Sequence, residues 1–106
     1  MRRASVRICG CDFEIKYCEP GAWSAGAMGR TDILKGEILI NEKLEADQSI
    51  STQIHEMLHL MLDSNGHHAA SNDEVFISSL ASSITAFLRD NPERLAAWRE
   101  VWDMTI

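Results

Sequence analysis

The sequence predicts an α+β fold in which a short antiparallel or mixed β-sheet is followed by three helices. Two observations support this order. Residues 6–40 contain short alternating apolar segments separated by glycine turns, which is typical of strands. From residue 48 onward, apolar residues recur three and four positions apart, which is typical of helices. A chain of 106 residues is long enough for one hydrophobic core, so we expect residues 1–106 to form a single domain.

The predicted sheet consists of two hairpins, the alternative for the first being a single strand with a tight bend. In the first, residues 6–9 and 13–17 flank a glycine; in the second, residues 31–34 and 37–40 flank a Lys-Gly pair. Glycine, alanine and serine dominate the segment between the hairpins, which predicts a loop anchored by Trp23.

The three predicted helices have recognisable ends. The first spans about residues 48–63 and is terminated by Gly66 in a left-handed conformation. The second spans about residues 73–90, because the residue before Pro92 disfavours helical geometry. Pro92 then begins the last helix. Apolar residues of the second helix are expected in the core: Ile77, Leu80, Ile84, Phe87 and Leu88. The last helix contains Leu95, Trp98 and Trp102, and its two tryptophans are expected in the core, the alternative being an exposed contact patch.

Composition excludes several classes of function. Apolar residues make up 45% of the chain and charged residues 25%, as in soluble globular proteins. No segment approaches the ~20 apolar residues of a membrane span, and no apolar signal segment follows the first residues, so we expect a cytoplasmic protein. A net charge of −6 argues against a nucleic-acid partner. The odd number of cysteines (Cys9, Cys11 and Cys18) indicates reduced thiols in a hairpin, in preference to disulfides or a second metal site.

Residues 55–59, His-Glu-Met-Leu-His, carry the clearest chemical signal. On a helix, His55 and His59 lie on one face and can direct two imidazoles at one metal ion. Glu56 is offset by about 100°, beside the ion, where it can accept a proton from a bound water. Two imidazoles, a carboxylate base and an open coordination position are what zinc-assisted amide hydrolysis requires. We therefore expect one Zn²⁺ ion and Glu56 as the catalytic base.

A third protein ligand is expected beyond the motif, and four residues compete for this role: Glu74, Asp73, His67 and His68. Glu74 is favoured, since it stands near the start of the second helix at the edge of its apolar face. The competing interpretation is a capping box in which Ser71 caps the helix and Glu74 reaches back to its amide.

Three residues are candidates for stabilising the charge of a transition state. His67 and His68 can donate to an oxyanion if they are not ligands, and Tyr17, the only tyrosine, can donate from the sheet. The alternative is that the two histidines lie on an exposed loop and take no part in the site.

The chain resembles the zincin-like metallopeptidases, in particular the small gluzincin-type proteins of phages and prophages and the ImmA/IrrE type. Three segments carry the resemblance: the strand Glu37–Asn41, residues 52–59 with the motif, and residues 72–75 followed by an apolar helix. The resemblance implies ligation by His55, His59 and Glu74 with Glu56 as base, in a bacterial or phage-infected cell. It also implies that Ile38, Leu39 and Ile40 form the edge strand that pairs with an extended substrate, Ile38 and Ile40 facing one side of the sheet.

The chain departs from related patterns in definite ways. The interval between His59 and Glu74 is short for an ImmA/IrrE protein, and no helix-turn-helix segment accompanies it. A metzincin requires glycine at position 62 and histidine at 65, where Leu62 and Asn65 stand. SprT-like zincins add a cysteine-rich element, and no cysteine follows Cys18.

Two functions are consistent with this pattern. The first is a zinc metallopeptidase that cuts a protein or peptide substrate, regulatory proteins being one candidate class. The alternative is a catalytically silent protein, stabilised by its metal, that sequesters a host or regulatory protein.

Overall fold

The computed structural model describes residues 3–19 and 28–104, so the loop predicted around Trp23 lies outside the described residues. Within these ranges a four-stranded sheet precedes the helices, which confirms the predicted α+β class. The strands are β1 (Arg3–Ile8), β2 (Cys11–Cys18), β3 (Gly29–Asp32) and β4 (Glu37–Asn41). The helices are α1 (Ala46–Ser64), α2 (His68–Ser71), α3 (Glu74–Asp90) and α4 (Pro92–Met104). The short α2 replaces the predicted link and makes four helices instead of three.

Both predicted hairpins form, and they join into one mixed sheet. β1 and β2 are antiparallel around a turn at Cys9 and Gly10, whose φ angles of 49° and 82° are left-handed, as two-residue hairpin turns require. β3 and β4 are also antiparallel, whereas β2 and β4 run parallel. The strand order is therefore β1-β2-β4-β3.

β4 lies inside the sheet, so the prediction that Ile38, Leu39 and Ile40 form the edge strand is wrong. Ile38 is paired with Ile15 of β2 on one side and with Thr31 of β3 on the other. The physical reason is that β4 joins the two hairpins through its parallel pairing with β2. This leaves β3 at the edge of the described sheet.

The core lies between one face of the sheet and α1. Ile38 and Ile40 are completely buried, and Leu39 on the opposite face is only half-buried, which confirms the predicted alternation. Leu60 of α1 packs against these isoleucines, together with Ile8 and Ile15. Each side chain buried in this way contributes about 1.5–3 kcal/mol relative to an exposed one.

α3 packs against α1, and its Ile77 is buried as predicted. Ala81, which was not among the predicted core residues, is buried as well. An ion pair between Arg89 and Asp47 (2.7 Å) also joins the two helices, and Asp90 and Asp47 raise the pKa of Arg89. None of the described helices is both long and apolar enough to cross a membrane.

α4 differs from the prediction because it buries no residue. Its two tryptophans, expected in the core, are exposed at 44% (Trp98) and 62% (Trp102). Phe87, at the end of α3, is 41% exposed and stacks on Trp98 with 6.0 Å between ring centroids.

Candidate metal centre

α1 brings the two histidines of the motif together as predicted. His55 and His59 are one helical turn apart, and their Nε2 atoms are separated by 3.2 Å. Both side chains are about four-fifths buried, and both face the beginning of α3. Two imidazole nitrogens therefore point at one location between the helices.

Glu74, the first residue of α3, completes this group. Its Oε2 atom lies 3.0 Å from His55 Nε2, and its Oε1 atom lies 3.0 Å from His59 Nε2. The competing capping box does not form, because Asp73 is the cap and its Oδ1 atom accepts a hydrogen bond from the Phe76 amide at 3.1 Å. The Glu74 carboxylate is thus available to the histidines.

The spacing of these donor atoms matches a metal site. Bonds of about 2.0–2.1 Å in tetrahedral geometry would place neighbouring zinc ligands about 3.3 Å apart. The three closest separations between His55, His59 and Glu74 are 3.0, 3.0 and 3.2 Å. In the described ranges, these three residues are the only group of three or more His, Cys, Asp or Glu side chains placed closely enough to hold one metal ion. The Glu74 side chain is 65% exposed, so one side of the group is open.

Two serines lie next to the other ring nitrogen, Nδ1, of the two histidines. Ser71 Oγ is 3.0 Å from His59 Nδ1, and Ser78 Oγ is 3.4 Å from His55 Nδ1. When each Nδ1 carries the proton and donates it to its serine, each Nε2 is left with a lone pair that points toward the space shared with Glu74. Ser71 is 98% buried, so this hydroxyl belongs to the interior.

Neither Ser71 nor Ser78 was predicted to contact the histidines. Ser78 follows Glu74 by four residues, so helical spacing places the two side chains on the same face of α3 and would have indicated it. For Ser71 no such signal exists, because its role depends on how α2 packs against α1.

Glu56 stands beside the triad and is not part of it. Its Oε1 atom accepts a hydrogen bond of 2.7 Å from Thr31 Oγ1 on β3. Thr31 was not among the predicted site residues, since no local pattern connects positions 25 apart in the chain.

An open cleft runs past the triad between β3 and α3. It consists of two adjoining depressions of about 560 and 460 Å³, which share Gly29, His55, Glu56 and Glu74 in their walls. Gly29 allows β3 to lie close to α1 beside the cleft. A Cβ atom at this position would lie 2.6 Å from Thr52 Cγ2, so a larger residue would force either the Thr52 side chain or β3 to shift.

The remaining predicted candidates lie elsewhere. His67 is exposed before α2, and the exposed His68 pairs with Asp63 at 3.1 Å. Tyr17 packs against the core, and Asp73 is committed to its cap. The oxyanion role of His67, His68 and Tyr17 stays a prediction.

The three cysteines also lie outside the triad. None of the three forms a disulfide; Cys9 and Cys11 are exposed, and Cys18 is partly buried.

Comparison of the chain with protein-family models, curated proteins and solved structures finds no match. The resemblance to zincins therefore depends on the three segments quoted above.

Proposed function

We propose that this protein is a zinc-dependent metallopeptidase that hydrolyses peptide bonds of a protein substrate. The observation that carries the proposal is the convergence of His55 Nε2, His59 Nε2 and the Glu74 carboxylate next to an open cleft. A zinc ion bound there supplies activation of a water molecule and polarisation of a carbonyl group. The donor set, its spacing and its open side support one ion with three protein ligands.

Glu56 provides the acid–base chemistry in this proposal. It follows the ligand His55 directly, lines both depressions of the cleft and is oriented by Thr31. From this position its carboxylate accepts the proton of the attacking water and then delivers it to the leaving amine. The carboxylate must be held beside the ion without binding it, and its hydrogen bond to β3 supports that role.

Among the described residues β3 has one free edge, and this edge supports an extended peptide as substrate. Met28 O accepts a hydrogen bond from Asn41 N at 2.9 Å, and hydrogen-bonded pairs alternate along an antiparallel ladder. Arg30 therefore bonds to β4, whereas the backbone groups of Gly29 and Thr31 point to the free edge. A peptide that pairs with them would run along the cleft past the triad. β3 thus takes the substrate-binding role first assigned to Ile38, Leu39 and Ile40.

A second candidate function is a metal-stabilised binding protein that does not cut its partner. The exposed aromatic side chains of Phe87, Trp98 and Trp102 favour it, since large apolar residues at a surface are typical of contact sites. The two candidates differ in whether the partner is hydrolysed and in whether Glu56 is needed.

Metal analysis of purified wild-type protein and Glu74→Ala tests the site directly. We expect about one zinc per wild-type chain by elemental mass spectrometry, and a sharp reduction in the variant. Glu93→Ala is the matched control, because Glu93 also lies in the first turn of a helix but belongs neither to the triad nor to the walls of the cleft. Unchanged zinc in Glu74→Ala would refute the ligand set, and wild-type protein without zinc would refute the proposed function.

A further inference from the structure

We infer that Thr31 is a positioning residue that holds the base Glu56 in its working orientation. This inference rests on the proposed function and extends it, because it names the group that couples the substrate-binding strand to the acid–base chemistry. The contact joins Thr31 Oγ1 on β3 to Glu56 Oε1 on α1 over 2.7 Å. That length is typical of a hydroxyl that donates to a charged carboxylate, which is among the stronger classes of hydrogen bond.

The donor is more rigid than the acceptor. Thr31 is β-branched, so few side-chain rotamers are open to it, and its strand is paired with β4 at Ile38. Glu56 has a long side chain with three rotatable torsions. The hydrogen bond therefore restricts the glutamate, and the strand serves as the fixed support.

Gly29 determines how closely β3 approaches α1. It lies two residues before Thr31, on the same face of β3, where a Cβ atom would meet Thr52 Cγ2 at 2.6 Å. The absence of a side chain at Gly29 lets the strand lie against α1 close enough for a threonine hydroxyl to reach Glu56. The short edge strand is thus fitted to the motif helix at two adjacent positions of one face.

The same residue also faces the proposed substrate. The side chain of Thr31 holds Glu56, and its backbone N–H and C=O groups point to the free edge where an extended peptide would pair. A peptide bound to β3 would therefore be held by the residue that orients the base. Loss of the hydroxyl should impair the chemical step more than substrate binding, since the backbone groups remain.

Thr31→Val tests this prediction, because valine keeps the shape of threonine and removes the hydroxyl. We expect kcat for a cleaved peptide to fall about 10- to 100-fold, while KM and zinc content stay within about twofold. Thr31→Ser should restore kcat to within about threefold of wild type. The control is Thr85→Val, which removes a buried hydroxyl that donates to the Ala81 carbonyl of the same helix and should leave kcat unchanged.

A double-mutant cycle provides a readout that does not depend on hydrolysis. Urea unfolding of wild type, Thr31→Val, Glu56→Ala and the double variant should show coupling of about tenfold in the unfolding equilibrium constant. Additive effects would overturn the inference. Hydrolysis by Thr31→Val at the wild-type kcat would also overturn it, with the proposed function intact. Coupling in a zinc-loaded wild-type protein that cuts no peptide would confirm the contact and overturn the proposed function instead.

Discussion

Helices α1 and α4 both pack against α3, and both carry apolar residues three and four positions apart, yet their surroundings differ. α1 is enclosed by the sheet, α2 and α3, and residues 51–60 along it are all at least partly buried. α4 buries no residue and leaves two tryptophans exposed. A periodic pattern of apolar residues therefore predicts a helix, but burial depends on the elements that cover it.

The burial of α1 also explains where the candidate site lies. Polar side chains on a covered helix must find partners, because burial without them costs on the order of 1–3 kcal/mol each. On α1 these partners come from different elements: Glu74 for both histidines, Ser71 for His59 and Thr31 for Glu56. We therefore expect substitutions around the covered helix α1 to change metal binding and hydrolysis, and substitutions on the exposed helix α4 to change neither.

The largest effect is expected at Glu56. Glu56→Gln preserves the size of the side chain but removes the proton acceptor, so hydrolysis should fall by about 10²–10⁴-fold while zinc content stays near one per chain. His59→Ala should lose both zinc and hydrolysis, and it serves as the contrasting variant. Activity is followed with a cleaved peptide and zinc by elemental mass spectrometry. Stoichiometric zinc in His59→Ala would contradict the ligand assignment, and full activity of Glu56→Gln would favour the binding-protein alternative.

A smaller effect is expected behind the histidines. Ser71→Ala removes the buried hydroxyl 3.0 Å from His59 Nδ1, so we expect zinc affinity to fall about 10- to 100-fold in a chelator competition titration. Ser78→Ala should have a weaker effect, because its hydroxyl is exposed and 3.4 Å from His55. Ser79→Ala, an exposed neighbour on α3, is the control. Wild-type affinity in Ser71→Ala would show that the orientation of His59 does not depend on this contact.

Local patterns predicted much of this arrangement. The glycine turn at Gly10 marked the first hairpin, Gly66 with a φ of 80° ended the first helix, and Pro92 began the last one. The pair His55 and His59 followed from helical spacing alone. In each case, the sequence determines the structure within a few neighbouring residues.

The remaining features depend on contacts between distant segments. β3 and not β4 lies at the edge because β4 pairs with β2. The local patterns that predict a hairpin contain no information on which strands of two hairpins pair with each other. Glu74 had two plausible local roles, and one of them is absent because Asp73 caps α3 in place of Ser71, whose hydroxyl lies against His59 of another helix. Thr31 entered the site only through the close approach of β3 to α1 at Gly29.

The smallest effect is expected on α4. Trp102→Ala replaces a side chain that is 62% exposed, so the free energy of unfolding should fall by less than about 1 kcal/mol, with zinc content and kcat unchanged. Ile77→Ala is the contrasting variant, because Ile77 of α3 is fully buried. Truncation of this side chain should lower the free energy of unfolding by about 2–5 kcal/mol. Urea unfolding followed by circular dichroism measures both. A loss above about 2 kcal/mol in Trp102→Ala would mean that α4 is covered in solution, and dependence of that loss on protein concentration would identify a second copy of the chain as the cover.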